Sequence, residues 1–369
     1  MSSSSGHIRS LDGVRGLAIL LVLLFHAGLV GFGWMGVQLF FVLSGFLITR
    51  ILWKERLAAS PLGYKFGKFW TRRSLRIFPL YFTYLIAVGV LFLLTHFPSS
   101  YPRFAPYLFT YTYNYTRTLP FYDGQPLFSQ LWSLCVEEQF YIVWPLVVLV
   151  CPAKVVRVVM VFGVLAAPLV RYLLVRHYSF AGLPPVTVGD AVYRHTLSHM
   201  DAFFLGGIIP VLSLPARVRR ASVWFVSLLV VAVALGLLTW TMPYETVDGQ
   251  PLQGFYAQGV LDYGMPVWCY TVIDLVFASL LLLVVTSGSR FFSMGWLVRI
   301  GQVSYGIYVF HLAIWWYVGE RFVVTHHGGM LLRLALFVPY LLVVWGVAEV
   351  SFRFYESKFT RLKDKWFPA

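Results

Sequence analysis

Arg15 and His26 stand at the two ends of the apolar stretch RGLAILLVLLFHAG, where ionisable side chains are out of place. Their separation of eleven residues is close to three helical turns, so both groups leave one face, roughly 16 Å apart along the axis. Charge or imidazole inside an apolar span is costly and is expected to face a protein interior or a wet cavity. An imidazole so placed can take and return a proton near neutral pH. Arg15 by itself fits a second role, an anchor that reaches into lipid headgroups.

Four further groups of residues could do chemistry. In QLWSLCVEEQFYIVWP, Ser133, Glu137 and Tyr141 fall at i, i+4 and i+8 on one helical face. An intramembrane carboxylate such as Glu137 needs a partner or a proton, whereas Glu138 points elsewhere and reads as an ordinary satisfied group. HMDAFFLGG brings His199 and Asp201 into one helical turn, and SYGIYVFHL sets Ser304, Tyr308 and His311 along one face. The serines and Tyr308 read equally as hydrogen bonds between helices. In FWTRRSLRIFPLYF, Arg73 and Arg76 are three apart and Arg72 and Arg76 four apart. Guanidinium groups bind phosphates by forked, charge-assisted bonds, and they also serve anionic lipid headgroups. Ser44 and Gly45, within GVQLFFVLSGFLITR, allow either close helix contact or a gap for a thin ligand. His96, His177, His326 and His327 fall in loops and read as surface residues.

Composition says what must position these groups. Of 369 residues, 59% are apolar and 12% charged, and the mean hydropathy is +0.74, which describes a polytopic membrane protein with an all-α fold. The net charge of +14 therefore calls for no nucleic acid, because cytoplasmic membrane loops carry such an excess. Cys135, Cys151 and Cys269 have no CxxC spacing and read as packing residues, so no metal is expected. The start MSSSSGHIRSLDG has no cleavage pattern, so the first span is expected to be an uncleaved anchor. Apolar windows fall near residues 14–31, 34–53, 77–97, 131–150, 155–175, 199–214, 222–240, 266–287, 296–318 and 330–351, ten expected transmembrane helices in one domain, 1–369, with no appended soluble domain. The aromatic stretch RFAPYLFTYTYNYT is too short and polar to span and is expected at the interface or as a re-entrant piece. Alternate loops are all basic: +7 over residues 50–76, then +2, +3, +2 and a tail of +3. The opposite loops range from about +1 down to −3, the last from Glu245, Asp248 and Asp262. The positive-inside rule then places both termini in the cytoplasm. With that sidedness Arg15 lies at the inner surface, and His26, Glu137, His199, Asp201 and His311 are expected to converge at one level of the outer half.

Taken together, RSLDGVRGLAILLVLLFH, GVQLFFVLSGFLIT, the RxxR of Arg73 and Arg76, WSLCVEEQFYIVWP, HMDAFFLGG and SYGIYVFHL resemble the membrane acyltransferases of acyltransferase family 3 over nearly the whole chain. The resemblance implies an integral membrane O-acyltransferase that moves an acyl group, acetyl above all, from cytoplasmic acyl-CoA to a hydroxyl of a sugar, a glycolipid or a hydroxylated small molecule. It implies no tightly bound cofactor and a place in the bacterial cytoplasmic membrane. His26 would be the catalytic base with Arg15 its motif partner, Arg73 and Arg76 would hold the donor's phosphates, and Glu137 would be the carboxylate that fixes the His26 tautomer. His199 and His311 are candidates for orienting the acceptor. Relatives often carry a basic residue shortly before the aspartate of HMDAFFLGG; His199 stands there instead. The rival from another class is a proton-coupled transporter of a small molecule, which uses the same intramembrane Glu, His and Asp; a haem protein with His26 and His311 as axial ligands is a further one.

Overall fold

The computed structural model describes residues 8–240, 264–326 and 329–367. Glu245, Asp248, Asp262, His327 and the first seven residues lie outside them. Among the described residues every regular element is helical. In chain order these are α1 (Arg9–His26), α2 (Met35–Arg56), α3 (Leu62–Thr95), α4 (Tyr101–Phe109), α5 (Trp132–Val150), α6 (Ala153–Phe180), α7 (Pro185–Arg194), α8 (Met200–Val211), α9 (Leu214–Arg217), α10 (Ala221–Trp240), α11 (Pro266–Ser287), α12 (Gly295–Gln302), α13 (Ser304–Ile314), α14 (Arg321–Thr325), α15 (Met330–Ser351) and α16 (Ser357–Trp366). Pro61, Pro152 and Pro184 stand just before three of them, where a fixed φ and a missing N–H cost nothing.

Among the described residues seven helical stretches are long and apolar enough to cross a membrane, and the bent stretch from α12 through α14 is an eighth if taken as one span. The two other expected spans are helices that fall short: α1 carries Arg9, Asp12 and Arg15 within 18 residues, and α8 has only 12. Length and composition thus single out seven or eight of the ten expected spans among the described residues. Two further expectations change. The window at 296–318 is not one straight helix, since Val303 leaves helical backbone (φ −100°, ψ 9°) and the chain turns by 75° there. The basic run before residue 77 is no loop, because α3 is a single helix of 34 residues that begins at Leu62 and carries Arg72, Arg73 and Arg76 on its length.

Helix α2 runs through the middle of the bundle, with 72% of its apolar window buried. Gly45 on α2 faces the Phe203 carbonyl of α8, and Gly206 on α8 faces the Val42 carbonyl of α2, so a Cβ at either glycine would overlap backbone of the other helix. Only glycine permits that crossing. Ser44, one residue earlier, faces a cavity, so the two readings of this pair divide between its members. Helices α3, α6 and α15 present large aliphatic side chains outward, among them Leu93 (73% exposed), Leu165 (74%) and Leu331 (83%). An apolar belt of this size is stable against hydrocarbon and unfavourable against water. The protein is a multi-pass membrane helix bundle. The aromatic stretch after α3 is folded inward as α4 and a short 3₁₀ turn, with Phe104, Leu108 and Tyr113 fully buried.

Candidate active site

Two neighbouring cavities in the bundle share Val37 and Tyr308 among the residues that line them. The first, about 750 Å³ with its mouth included, is lined by Arg15, Arg73 and Arg76 together with Ser44, Ser133, Glu137, Tyr141 and Ser304. Ser133, Glu137 and Tyr141 do line one cavity, as their spacing on α5 requires. Arg15 Nη1 is tied to Asp12 Oδ1 at 2.7 Å. The Arg73 guanidinium sits 5.7 Å over the Tyr141 ring and 6.0 Å over Phe69. Neither Arg73 nor Arg76 has a hydrogen-bond acceptor among the described residues. Tyr141 donates to Ser44 at 3.2 Å, and Ser44 donates to Glu137 Oε1 at 2.7 Å. Three guanidiniums against one lining carboxylate leave this cavity cationic, with forked donors still open.

The second cavity, about 510 Å³, is lined by His26, Trp34, Gln130, Trp132, Asp190, Tyr193, Arg194 and Tyr308. His26 Nδ1 lies 3.0 Å from the Val22 carbonyl oxygen and 3.3 Å from His311 Nε2. A carbonyl oxygen only accepts, so Nδ1 carries the proton. His311 Nδ1 lies 2.7 Å from the Tyr308 carbonyl, and the same argument leaves the His311 Nε2 lone pair facing His26 Nδ1–H. The unprotonated Nε2 of His26 has no partner among the described residues and is the ring nitrogen left for the cavity that His26 lines. The partner that sets this tautomer is therefore a backbone carbonyl and a second histidine, not the expected carboxylate. Glu137 lies in the arginine cavity, bonded to Ser44. The His26 and His311 rings are in edge contact, centroids 4.9 Å apart, which leaves no room for a porphyrin between them. Among the described residues no three His, Cys, Asp or Glu side chains are grouped to hold a metal ion.

His199 and Asp201 line neither cavity. Both His199 nitrogens are engaged, with Gln38 Oε1 at 2.9 Å and the Tyr193 carbonyl at 2.5 Å. Asp201 is fully buried against Arg171, whose Nη1 reaches its two oxygens at 3.0 and 2.9 Å, and Thr271 adds a bond of 2.6 Å. The basic partner of this aspartate thus comes from α6, thirty residues earlier, because helix packing and not sequence proximity brings them together. Both residues are thus bonded to other parts of the bundle, His199 to Gln38 of α2 and Asp201 to Arg171 of α6 and Thr271 of α11.

Tyr308 joins the two compartments in a second way. Its hydroxyl donates to the Gln130 carbonyl at 3.0 Å and bonds Ser133 at 2.5 Å, while its own carbonyl fixes His311. Sequence reasoning missed Asp190 and Arg194 on α7, and the aromatic wall of Trp34, Trp132 and Tyr193. The one signal for them was an acid and a base four residues apart beside apolar neighbours, which an exposed helix shows just as often.

The profile of the family described as "Acyltransferase domain" matches residues 8–349 of this chain. Among curated proteins, the chain is similar to the peptidoglycan O-acetyltransferase OatA of Listeria monocytogenes, at 28% identity over 96% of this chain and 56% of the relative. It is also similar to the O-acetyltransferase OatA of Staphylococcus aureus, at 26% identity over 99% of this chain and 59% of that protein. The chain thus spans little more than half the length of these relatives. No solved structure matches it.

Proposed function

This chain belongs to the acyltransferase-domain family, and from that premise we propose that it is a membrane O-acyltransferase in which His26 is the general base. The reading takes an acyl group, acetyl in the first instance, from acyl-CoA to a hydroxyl of a sugar, glycolipid or other hydroxylated acceptor at the bacterial cell membrane. One observation carries it: an imidazole with a free Nε2 lines one cavity, and a second cavity lined by three arginines shares Tyr308 and Val37 with it.

The donor enters the arginine cavity from the cytoplasm, and its phosphates engage Arg73 and Arg76, with Arg15 on the same cavity wall. The pantetheine arm extends toward the Tyr308 wall and delivers the thioester to His26. The acceptor occupies the histidine cavity from the other side. His26 Nε2 removes the hydroxyl proton as the oxygen attacks the thioester carbonyl, and the tetrahedral adduct then expels the thiolate. The imidazolium returns its proton to sulfur, so free CoA and an ester leave, with no net proton gained or lost. His311 Nε2 accepts from Nδ1–H throughout and gains strength when His26 is cationic. Glu137 balances the arginine charge and holds Ser44; this replaces the tautomer role expected for it.

The test is release of CoA thiol from acetyl-CoA by the purified protein with and without a hydroxylated acceptor extract. Wild type should release CoA faster with acceptor, and His26→Ala should lose roughly 10²- to 10⁴-fold of that increment with its helical circular dichroism unchanged. Undiminished release by His26→Ala would remove the base assignment.

A further inference from the structure

Arg194 ends α7 and is one of the residues that line the histidine cavity with His26 and Trp132. Its Nε is committed to Asp190 Oδ1 at 2.8 Å, and the other oxygen of Asp190 takes Arg117 Nε at 2.5 Å. Two guanidiniums on one carboxylate leave the cluster one positive charge in excess. Neither terminal nitrogen of Arg194 has an acceptor among the described residues, and Nη1 is buried. The side chain is held firmly all the same: it is 12% exposed, and the guanidinium lies 5.4 Å from the Tyr122 ring centre and 5.9 Å from that of Trp132. Burying donors with nothing to receive them is unfavourable. Rings and Asp190 fix this guanidinium in place, and no acceptor for its outer fork stands among the described residues.

A guanidinium carries its two terminal nitrogens side by side, a pattern that fits two oxygens of one carboxylate or phosphate better than a single hydroxyl. Trp34, Trp132 and Tyr193 supply flat apolar faces for the body of the same molecule. We propose that Arg194 is an anion-recognition site within the acceptor pocket, and that the acceptor bringing its hydroxyl to His26 carries a carboxylate or phosphate held by this fork. The inference rests on the acyl-transfer reading for the word acceptor, but the anion site itself is a binding property that is measured without turnover.

The whole protein in phosphatidylcholine nanodiscs is titrated with methyl glucoside, methyl glucuronide and glucose-1-phosphate, following its thermal melting and tryptophan fluorescence. Both acids should bind wild type at least tenfold more tightly than the neutral glucoside, as a bidentate ionic contact requires. Arg194→Gln should abolish that difference. Arg194→Lys, which keeps the charge beside Asp190 and so guards against a folding defect, should retain only part of it. Whichever acid binds more tightly identifies the group recognised. Equal binding of the three probes to wild type, or an acid preference that survives Arg194→Gln, overturns the proposal. Acetyl-CoA turnover is scored in parallel: Arg194-dependent acid binding without CoA release leaves the anion site standing and counts against acyl transfer, and loss of neutral-glucoside turnover in Arg194→Gln with no acid preference assigns the guanidinium to the reaction's oxyanion instead.

Discussion

Replacing His311 by Leu tests the paired imidazoles directly. The side chain is fully buried and lines neither cavity, so the substitution removes an acceptor from His26 Nδ1–H without touching substrate. In the resting enzyme that bond joins neutral groups at 3.3 Å and contributes about 0.5–1.5 kcal/mol. When His26 holds the proton the bond becomes charge-assisted, with a contribution of about 1.5–3 kcal/mol. Only the difference acts on the rate. It amounts to about 1–1.5 kcal/mol, or a roughly 5- to 15-fold fall in kcat. The fall stops there because the Val22 carbonyl, at 3.0 Å, still keeps the proton on Nδ1. Steady-state CoA release at saturating acceptor measures it. KM for acyl-CoA should stay within about twofold, since binding and chemistry separate in this way only for a residue remote from the donor. The double variant His26→Ala with His311→Leu should be no slower than His26→Ala alone, because both act on one proton transfer. An unchanged kcat, a loss confined to KM, or additive losses in the double variant would show that His311 does not stabilise the protonated His26.

Three further outcomes follow from the two cavities and the packing around them. Arg76→Ala should raise KM for acyl-CoA by roughly 10- to 150-fold, the value of about 1.5–3 kcal/mol for a charge-assisted contact, and should flatten its dependence on salt; unchanged donor binding would return the arginines to lipid headgroups. Tyr308→Ala opens the wall between the cavities, so CoA release without acceptor should rise several-fold relative to release with acceptor as water reaches the thioester; a fixed ratio counts against a shared wall. Arg171→Ala leaves the buried Asp201 unpaired, at a cost of about 3–5 kcal/mol, and should lower the melting temperature while the surviving protein keeps its KM for acyl-CoA; a KM defect with normal melting would restore Asp201 to the substrate site.

Local rules made much of this protein legible. Hydropathy located every long apolar helix, because a span must be long and apolar whatever packs beside it. Helical spacing put Ser133, Glu137 and Tyr141 on one cavity wall, since the period of an α-helix is set by its own backbone. The arginines of α3 and Arg15 do share a cavity, and His26 does line a pocket.

Composition and motifs were enough for the class of protein, the family and the residue types available for chemistry. Which side chains meet depends on how the helices pack. Depth along a helix places a residue in one dimension, but azimuth and helix neighbours are set by packing among distant segments. Glu137 and His26 were expected at one level, yet the Gly45 and Gly206 crossing and the 75° turn after α12 place the carboxylate with Ser44 and the imidazole with His311. For the same reason Asp201 finds Arg171 on another helix, and Arg194, unremarked on a short helix between spans, lies on the wall of the cavity that holds His26.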